Sequence, residues 1–251
     1  MNEYLKTALQ AAKAASKILN EGFVKGAVAK DKNTSETGDW ITEYDYKAQS
    51  AIVKIIAKQF PSHSILSEEG IDEDRRSDYK WIIDPLDGTT NFSHGFPNFA
   101  TAIALEYKNK PFIGVIALPS QNQIFWAVKN QGAFLNGKPI HISDTAQTNK
   151  ALIGISMARS ANALKLGNNT FNKITLAPAK PRVYGSIAAD LARVALGQLD
   201  ATVCNHLFPW DYLAGILLVT EAGGKVTWVK EKTQFVASNK FLHTKLVSIL
   251  K

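Results

Sequence analysis

Cysteine is almost absent from this chain of 251 residues, in which Cys204 is the only one. A disulfide needs two cysteines, so no internal disulfide framework supports the fold, and a lone thiol suits a reducing compartment. No apolar run reaches the length of a membrane span, and the alanine- and leucine-rich stretch over residues 4–19 is interrupted by Lys6, Lys13 and Lys17 at helical spacing. We therefore expect an amphipathic surface helix here, no membrane segment, and a cytoplasmic location.

Acidic residues are in deficit as well. The chain has 22 Asp and Glu against 29 Lys and Arg, which gives a formal net charge of +7 and a pI near 9.3. Such a balance can indicate binding to nucleic acid or attraction of phosphorylated metabolites. The basic residues are scattered, without a dense arginine run or interleaved aromatics, so a generally basic surface is favoured and nucleic-acid binding remains the lesser alternative.

The hydrophobic pattern changes along the chain. The first half predicts a helix over 45–59 that stops before Pro61, then mostly strands, over 64–67, 80–84, 99–106, 112–118 and 124–128, and a hairpin over 134–140. The second half alternates, with a strand over 151–155, a helix over 186–196, a strand over 201–204, a helix over 211–222, a strand over 225–229 and a closing helix to Leu250. The polar stretch 25–39 predicts a mobile loop. This order favours an α+β fold with layered sheets and helices.

Two aspartates follow a short apolar run in the segment Trp81-Ile82-Ile83-Asp84-Pro85-Leu86-Asp87-Gly88-Thr89. A residue before proline prefers extended backbone, so the strand reaches Asp84, and Asp87 follows one tight turn later. Carboxylates held this close repel each other unless a cation lies between them, which makes a divalent metal the natural occupant. Alone, the pair also fits a solvated turn or a helix cap.

Two further segments carry acids in comparable positions. Glu68 and Glu69 end the apolar run 64–67, and Asp211 follows Trp210 at the start of a predicted helix that closes with Glu-Ala-Gly-Gly. Together with Asp84-Pro85-Leu86-Asp87-Gly88-Thr89-Thr90-Asn91-Phe92, these segments resemble the signatures of the inositol monophosphatase family of metal-dependent, lithium-sensitive phosphatases, with leucine where isoleucine is usual. Thr42 and Asp45 also have the family's spacing, and the resemblance runs nearly end to end.

The resemblance implies a layered αβαβα sandwich and a catalytic domain over 1–251, which could comprise two subdomains, 1–145 and 146–251. It implies two or three Mg²⁺ per site, with Mn²⁺ as a substitute, held by Glu68, Asp84, the backbone carbonyl of Leu86, Asp87 and Asp211. Magnesium prefers oxygen ligands, which this set supplies. A homodimer is implied as well.

The same resemblance names candidate catalytic and substrate-binding residues. Asp45, Glu68 and Thr89 are the catalytic candidates, because the matching threonine and aspartate orient and activate the nucleophilic water in the family. The residues expected to contact substrate are Asp87, Gly88, Thr89, Thr90, Gly185, Ser186 and Ile187. Helix capping is the structural alternative for Asp45, Thr89, Ser186 and Asp211.

The identity of the substrate stays open at this point. Animal inositol phosphatases have a substrate-binding glutamate where this chain has Cys204 or, with a gap, Asn205, so fructose 1,6-bisphosphate, histidinol phosphate and other small phosphates stand beside inositol monophosphate. A basic RNA-binding or transcription-complex protein on the same fold is the alternative of another class. An ATPase is discounted, because the phosphate-loop spacing over 132–138 is followed by Pro139 instead of a magnesium-binding hydroxyl, and Asn136-Gly137 favours a type I′ hairpin turn.

Overall fold

The computed structural model describes residues 2–32, 40–156, 161–205, 207–230 and 233–251. Its helices are α1 (Glu3–Lys25), α2 (Glu43–Gln59), α3 (Thr89–Ser93), α4 (Ala161–Leu176), α5 (Ile187–Ala195), α6 (Pro209–Glu221) and α7 (His243–Leu250). Its strands are β1 (Lys30–Asp31), β2 (Trp40–Ile41), β3 (Ser64–Ser67), β4 (Asp72–Glu73), β5 (Tyr79–Asp87), β6 (Ala100–Tyr107), β7 (Lys110–Leu118), β8 (Gln123–Val128), β9 (Ala133–Leu135), β10 (Lys138–Ile140), β11 (Leu152–Ile155), β12 (Lys180–Arg182), β13 (Ala201–Asn205), β14 (Lys225–Lys230) and β15 (Gln234–Ser238).

The strands of the described residues form two large sheets and one two-stranded sheet. The eight-stranded sheet has the order β10-β9-β8-β7-β6-β5-β3-β4, the five-stranded sheet has the order β12-β11-β13-β15-β14, and β1 pairs with β2. In the first sheet β3 and β5 are parallel and the remaining neighbours are antiparallel. In the second sheet β12, β11 and β13 are parallel, whereas β15 is antiparallel to both of its neighbours, β13 and β14.

Buried apolar side chains of the described residues form three cores between the layers. The first core packs α1 and α2 against the eight-stranded sheet, as Ile52 does against Ile103 and its neighbours. The middle core places α5 and α6 between the two sheets, with Leu191 and Phe235 among its members. The third core packs α4 and α7, through residues such as Leu246, against the far face of the five-stranded sheet. This succession is an αβαβα sandwich, so the predicted fold is confirmed.

Helix α1 is the predicted amphipathic helix and is longer than the sequence pattern indicated. Asn2 caps its start by accepting a hydrogen bond from the Tyr4 N–H at 2.9 Å, and Gly26 ends it with φ of +72°. A helix closes well on glycine in this left-handed conformation because glycine has no Cβ to clash. None of the helices in the described ranges is both long and apolar enough to cross a bilayer.

Most predicted elements are present with shifted ends, and the Asn136-Gly137 hairpin is confirmed by φ values of +47° and +83°. Helix α4 was missed because its Asn- and Gly-containing sequence has poor helix propensity. Strand β15 was missed because it is short and buried throughout, without the alternation that marks a half-exposed strand. The predicted loop over 25–39 contains strand β1, which corrects that prediction for Lys30–Asp31; residues 33–39 lie outside the described ranges.

We expect the buried His63 to make a pH-dependent contribution to the free energy of unfolding. Its Nδ1 accepts a hydrogen bond from Trp81 Nε1 at 3.1 Å, and its ring stacks on Tyr79 at 4.8 Å between centroids. Burial lowers the pKa of His63 below the ordinary 6.5, so the unfolded chain takes up a proton before the folded protein does. This contribution is therefore fully present above pH 6.5 and is lost as the pH falls through the lower folded-state pKa.

We expect His63→Gln to have a shallower pH dependence of unfolding free energy than the parent between about pH 7.5 and about pH 5. Chemical denaturation at several pH values measures it. The exposed His141, replaced by Gln, is the matched control and should retain the parental slope. Parallel curves for the parent and His63→Gln would contradict the assignment.

Candidate functional site

A bulge in strand β5 brings Asp84 and Asp87 to one face of the sheet. Asp84 pairs with Ala102 on β6 and Asp87 pairs with Ala100, so three steps along β5 match two steps along β6. In a regular strand, residues three apart point to opposite faces; the extra residue cancels that alternation. Thr101 holds the bulge by donating its hydroxyl to the Pro85 carbonyl at 2.9 Å. Both aspartates therefore lie on the face covered by α5 and α6.

Helix α6 supplies Asp211 to the same face. A Cβ on Gly114 of β7 would lie 2.6 Å from the Ala214 carbonyl oxygen, so this glycine lets α6 approach the sheet closely. Pro209 occupies the first turn of α6, and Asp211 Oδ2 accepts the Phe208 N–H at 2.7 Å. The capping interpretation of Asp211 is thus confirmed for one of its oxygens.

Asp45 and Thr89 meet beside the bulge, although 44 residues separate them in sequence. Asp45 Oδ2 accepts the N–H of Thr42 at 2.8 Å and its hydroxyl at 2.6 Å, so Asp45 does cap α2. The Thr89 hydroxyl lies 3.2 Å from Asp45 Oδ1 and 3.1 Å from the Leu86 carbonyl oxygen. Thr89 itself is not the cap of α3, because Gly88 holds that position with φ of +88°.

The electrostatic environment shows that four carboxylates converge. Burial raises the pKa of Asp84 well above its ordinary value, and the charges of Glu68, Asp87 and Asp211 raise it further. Burial also raises the pKa of Asp211, with Asp87 and Glu68 adding to the rise. The pKa of Asp87 rises to about 6, chiefly by burial. Each ionised group therefore opposes ionisation of its neighbours, which a nearby cation would reverse.

The donor set fits a hard divalent cation. The converging side chains offer only oxygen atoms, which Mg²⁺ and Mn²⁺ prefer. Among the residues that the structure describes, no three His, Cys, Asp or Glu side chains close into a finished coordination cage.

Lys32 is a site residue that the sequence did not reveal. Its Nζ lies 2.9 Å from Glu68 Oε1 and 2.7 Å from Glu69 Oε1. Burial raises the pKa of Glu69 to about 7, and Lys32 opposes the rise. The pKa of Lys32 is itself raised, because the two glutamates outweigh the effect of its burial. The residue lies in the stretch predicted to be a mobile loop, where no sequence signal marked it.

The predicted substrate segment over 185–187 lies against Asp87. Asp87 Oδ2 accepts the Ser186 hydroxyl at 2.6 Å and the Ala188 N–H at 2.7 Å. Ser186 is also the N-cap of α5, as the structural alternative predicted. Gly88 is tightly enclosed, since a Cβ there would lie 3.1 Å from the Asn98 carbonyl oxygen and 3.2 Å from that of Gly185. Thr90 and Ile187 follow in the first turns of α3 and α5.

Cys204 and Asn205 are structural residues of β13. Both are 0% exposed. Asn205 donates to the Ser156 carbonyl at 2.7 Å and accepts from Gln234 Nε2 at 2.7 Å, so both ends of its amide are engaged within the protein. Neither residue therefore takes the place of the substrate-binding glutamate that animal inositol phosphatases have at this position.

Comparison with known proteins agrees with this geometry. The sequence model of the inositol monophosphatase family matches residues 1–250. A fructose-1,6-bisphosphatase/inositol-1-monophosphatase of Aquifex aeolicus is 34% identical over 100% of this chain and 96% of its own length. A Nus factor SuhB of Pseudomonas aeruginosa is 37% identical over 96% of this chain and 89% of its own.

Solved structures give the same result. The crystal structure of extragenic suppressor protein suhB from Bartonella henselae has a TM-score of 0.92 at 32% identity and covers 100% of this chain and 99% of that one. An IMPase of Thermotoga maritima has a TM-score of 0.90 at 30% identity, covering 99% of this chain and 97% of its own. The chain described here therefore belongs to the inositol monophosphatase family, a family of metal-dependent phosphatases.

Proposed function

We propose that this protein is a magnesium-dependent phosphomonoesterase that hydrolyses a small phosphorylated metabolite, with inositol monophosphate as the first candidate. The observation that supports this most is the bulge of β5, which presents Asp84 and Asp87 on one face beside Asp211. Such a concentration of buried and partly buried carboxylates is costly for a merely structural role, because each one raises the pKa of its neighbours. It is useful where cations and a phosphate must be held.

In this proposal, Glu68, Asp84 and the Leu86 carbonyl would hold one ion, and Asp84, Asp87 and Asp211 would hold another. Bound Mg²⁺ or Mn²⁺ supplies a lowered pKa for a water and neutralises negative charge at the phosphoryl group. The protein's own contribution is to fix these oxygens: the Leu86 N–H donates to Asp84 Oδ1 at 3.0 Å, and donors from α5 fix Asp87.

Asp45 and Thr89 are suited to orient a water for attack. The Thr89 hydroxyl that donates to Asp45 or to the Leu86 carbonyl leaves its oxygen lone pairs free to accept from a water. Burial raises the pKa of Asp45 to about 6, so this carboxylate is ionised at neutral pH and more basic than an exposed one. Helix α3 begins directly after Gly88, and backbone N–H groups at the start of a helix can donate to phosphate oxygens.

Other substrates and one other function remain candidates. The relative from Aquifex aeolicus is named for both fructose 1,6-bisphosphate and inositol 1-phosphate hydrolysis, and the acid expected near Cys204 is absent, which favours testing several sugar and alcohol phosphates. The relative from Pseudomonas aeruginosa is named a Nus factor. Together with the net charge of +7, that name supports a transcription-related RNA-binding role as the second candidate function.

The test is magnesium-dependent phosphate release from inositol monophosphates, fructose 1,6-bisphosphate, histidinol phosphate and 3′-phosphoadenosine 5′-phosphate, with and without lithium. We expect Asp87→Asn to lower turnover of the preferred substrate by more than about 100-fold, since even the outer partners of metal ligands contribute 10- to 100-fold. Asp78→Asn is the control, because the side chain of Asp78 is 62% exposed and pairs with Lys108 at the surface.

Two outcomes would count against the phosphatase proposal. One is absence of phosphate release from every substrate by the folded wild-type protein. The other is equal turnover by Asp87→Asn and the wild type. Salt-sensitive RNA binding that survives in Asp87→Asn, measured with the same preparations, would favour the second candidate function.

Lys32 gives an independent test of cation binding. Replacing Lys32 with Gln removes the ammonium between Glu68 and Glu69, so we expect a lower melting temperature without metal and a larger rise on adding Mg²⁺ or Mn²⁺ than in the wild type. Differential scanning calorimetry with and without metal measures both. Lys47→Gln, which removes an exposed lysine paired with Glu43, is the control. An unchanged metal-induced shift would contradict the assignment of Glu68 as a ligand.

We also propose a homodimer in the cytoplasm. The buried free thiol of Cys204 suits a reducing compartment.

For the dimer, Phe96 and Val183 are 50% and 49% exposed, and the contact of Asn98 with Tyr184 places their segments side by side. We expect light scattering to show a dimer and Phe96→Glu to weaken it, whereas Phe241→Glu, at another exposed phenylalanine, should not. A monomeric wild type would refute the dimer.

A further inference from the structure

The segment before α5 is attached to the Asp87 turn by asparagine side chains. The Tyr184 carbonyl accepts hydrogen bonds from Asn91 Nδ2 at 2.8 Å and from Asn98 Nδ2 at 2.9 Å. Gly185 packs so closely that a Cβ would lie 3.2 Å from Asn91 Nδ2. The segment that carries Ser186 to Asp87 is therefore held by Asn91 of α3 and by Asn98 on the loop that follows it.

Arg193, on the second turn of α5, completes this attachment. Its Nη2 donates to Asn98 Oδ1, its guanidinium lies 5.3 Å from the centroid of the Tyr184 ring, and its Nη1 lies 3.4 Å from Asp190 Oδ1. The side chain is only 15% exposed. A planar guanidinium can satisfy several partners at once in this way.

Arg193 and the Tyr184 carbonyl together fix the orientation of the Asn98 amide. Because Arg193 can only donate, the amide must turn its Oδ1 toward the guanidinium, which directs Nδ2 at the Tyr184 carbonyl. The Tyr184 carbonyl can only accept, so it favours the same orientation, and loss of Arg193 would remove the guanidinium donor that anchors Asn98 Oδ1. The hydrogen bond from Asn98 to Tyr184 is thus supported by a residue that lies outside the contacts of Asp87.

Arg193 also forms an ion pair with Asp190. A test must distinguish this role from the contact of Arg193 with Asn98. The side chain of Asp190 is 2% exposed, and burial raises its pKa to about 8 while Arg193 opposes the rise. Removing the guanidinium would leave this carboxyl without its ion pair and could loosen α5 by that route alone. A variant at Asn98 keeps the Arg193–Asp190 pair and tests the other route.

We propose that Arg193 is a positioning residue for the candidate metal centre, which acts by orienting Asn98 and packing on Tyr184 so that Ser186 and the Ala188 N–H stay on the Asp87 carboxylate. The inference rests on the proposed metal-dependent function. Partners that orient metal ligands contribute 10- to 100-fold to metal affinity in other proteins. Arg193 acts on Asp87 only through the segment that Asn98 and Tyr184 hold in place. Its loss should therefore weaken Mn²⁺ binding by about 10-fold, at the lower end of that range.

The experiment measures Mn²⁺ affinity directly, without substrate, from the electron paramagnetic resonance signal of free Mn²⁺. Arg193→Met should bind about 10-fold more weakly than the wild type, and Asn98→Leu, which retains the Arg193–Asp190 pair, should be weakened similarly. Arg193→Lys keeps a charge near Asp190 but lacks the guanidinium fork, so its Mn²⁺ affinity should fall between those of the wild type and Arg193→Met. Arg75→Met removes an arginine whose guanidinium donates to the Pro61 carbonyl and to Glu73, and this variant should match the wild type.

The outcomes are distinguishable. If the wild type does not bind Mn²⁺, the proposed function fails. If it binds and both Arg193→Met and Asn98→Leu stay within about twofold of it, the positioning role alone is overturned. Weakened binding in Arg193→Met with wild-type binding in Asn98→Leu would also overturn it, because the effect would then come from Asp190. Should circular dichroism show that Arg193→Met does not fold, Arg193→Lys and Asn98→Leu decide in the same way.

Discussion

Repulsion between buried carboxylates is the constraint on which the rest of this structure depends. Asp84 is only 1% exposed and has acidic neighbours directly after β3, on β5 and on α6. Charges confined in this way destabilise the fold unless donors or cations offset them. Hydrogen bonds to charged groups contribute about 1.5–3 kcal/mol each, so the pattern of donors around these acids indicates how the protein tolerates them.

Two of the three aspartates, Asp84 and Asp211, are held by a donor that the local backbone supplies. Asp84 accepts from the N–H of Leu86 within the bulge, and Asp211 accepts from that of Phe208 at the start of α6. Asp87 instead depends on α5, with Ser186 and the Ala188 N–H as its donors. Its position is therefore set by the packing of a distant segment as well as by its own strand, which is why the contacts of that segment matter.

Much of the fold and part of the site could be predicted from sequence. Apolar runs, Pro61 and the Asn136-Gly137 turn were sufficient for most elements, because those signals act locally. The acids of β5 could be identified because proline and glycine flank them. Helix α4 and strand β15 were not predicted, because their local propensity is weak and tertiary burial overrides it. The contacts of Lys32 with the acids and of Asn205 with the protein interior could not be predicted for a different reason. Only the folded chain shows which partners a polar side chain meets.

The contact between Asp87 and Ser186 joins residues 99 positions apart in the chain. A ribosome that has synthesised β5 through β10 has already produced Asp84 and Asp87, but it has yet to produce α5 and α6. A nascent polypeptide at that stage carries the crowded acids without Ser186 or Asp211. The complete constellation can assemble only after most of the translation has been finished.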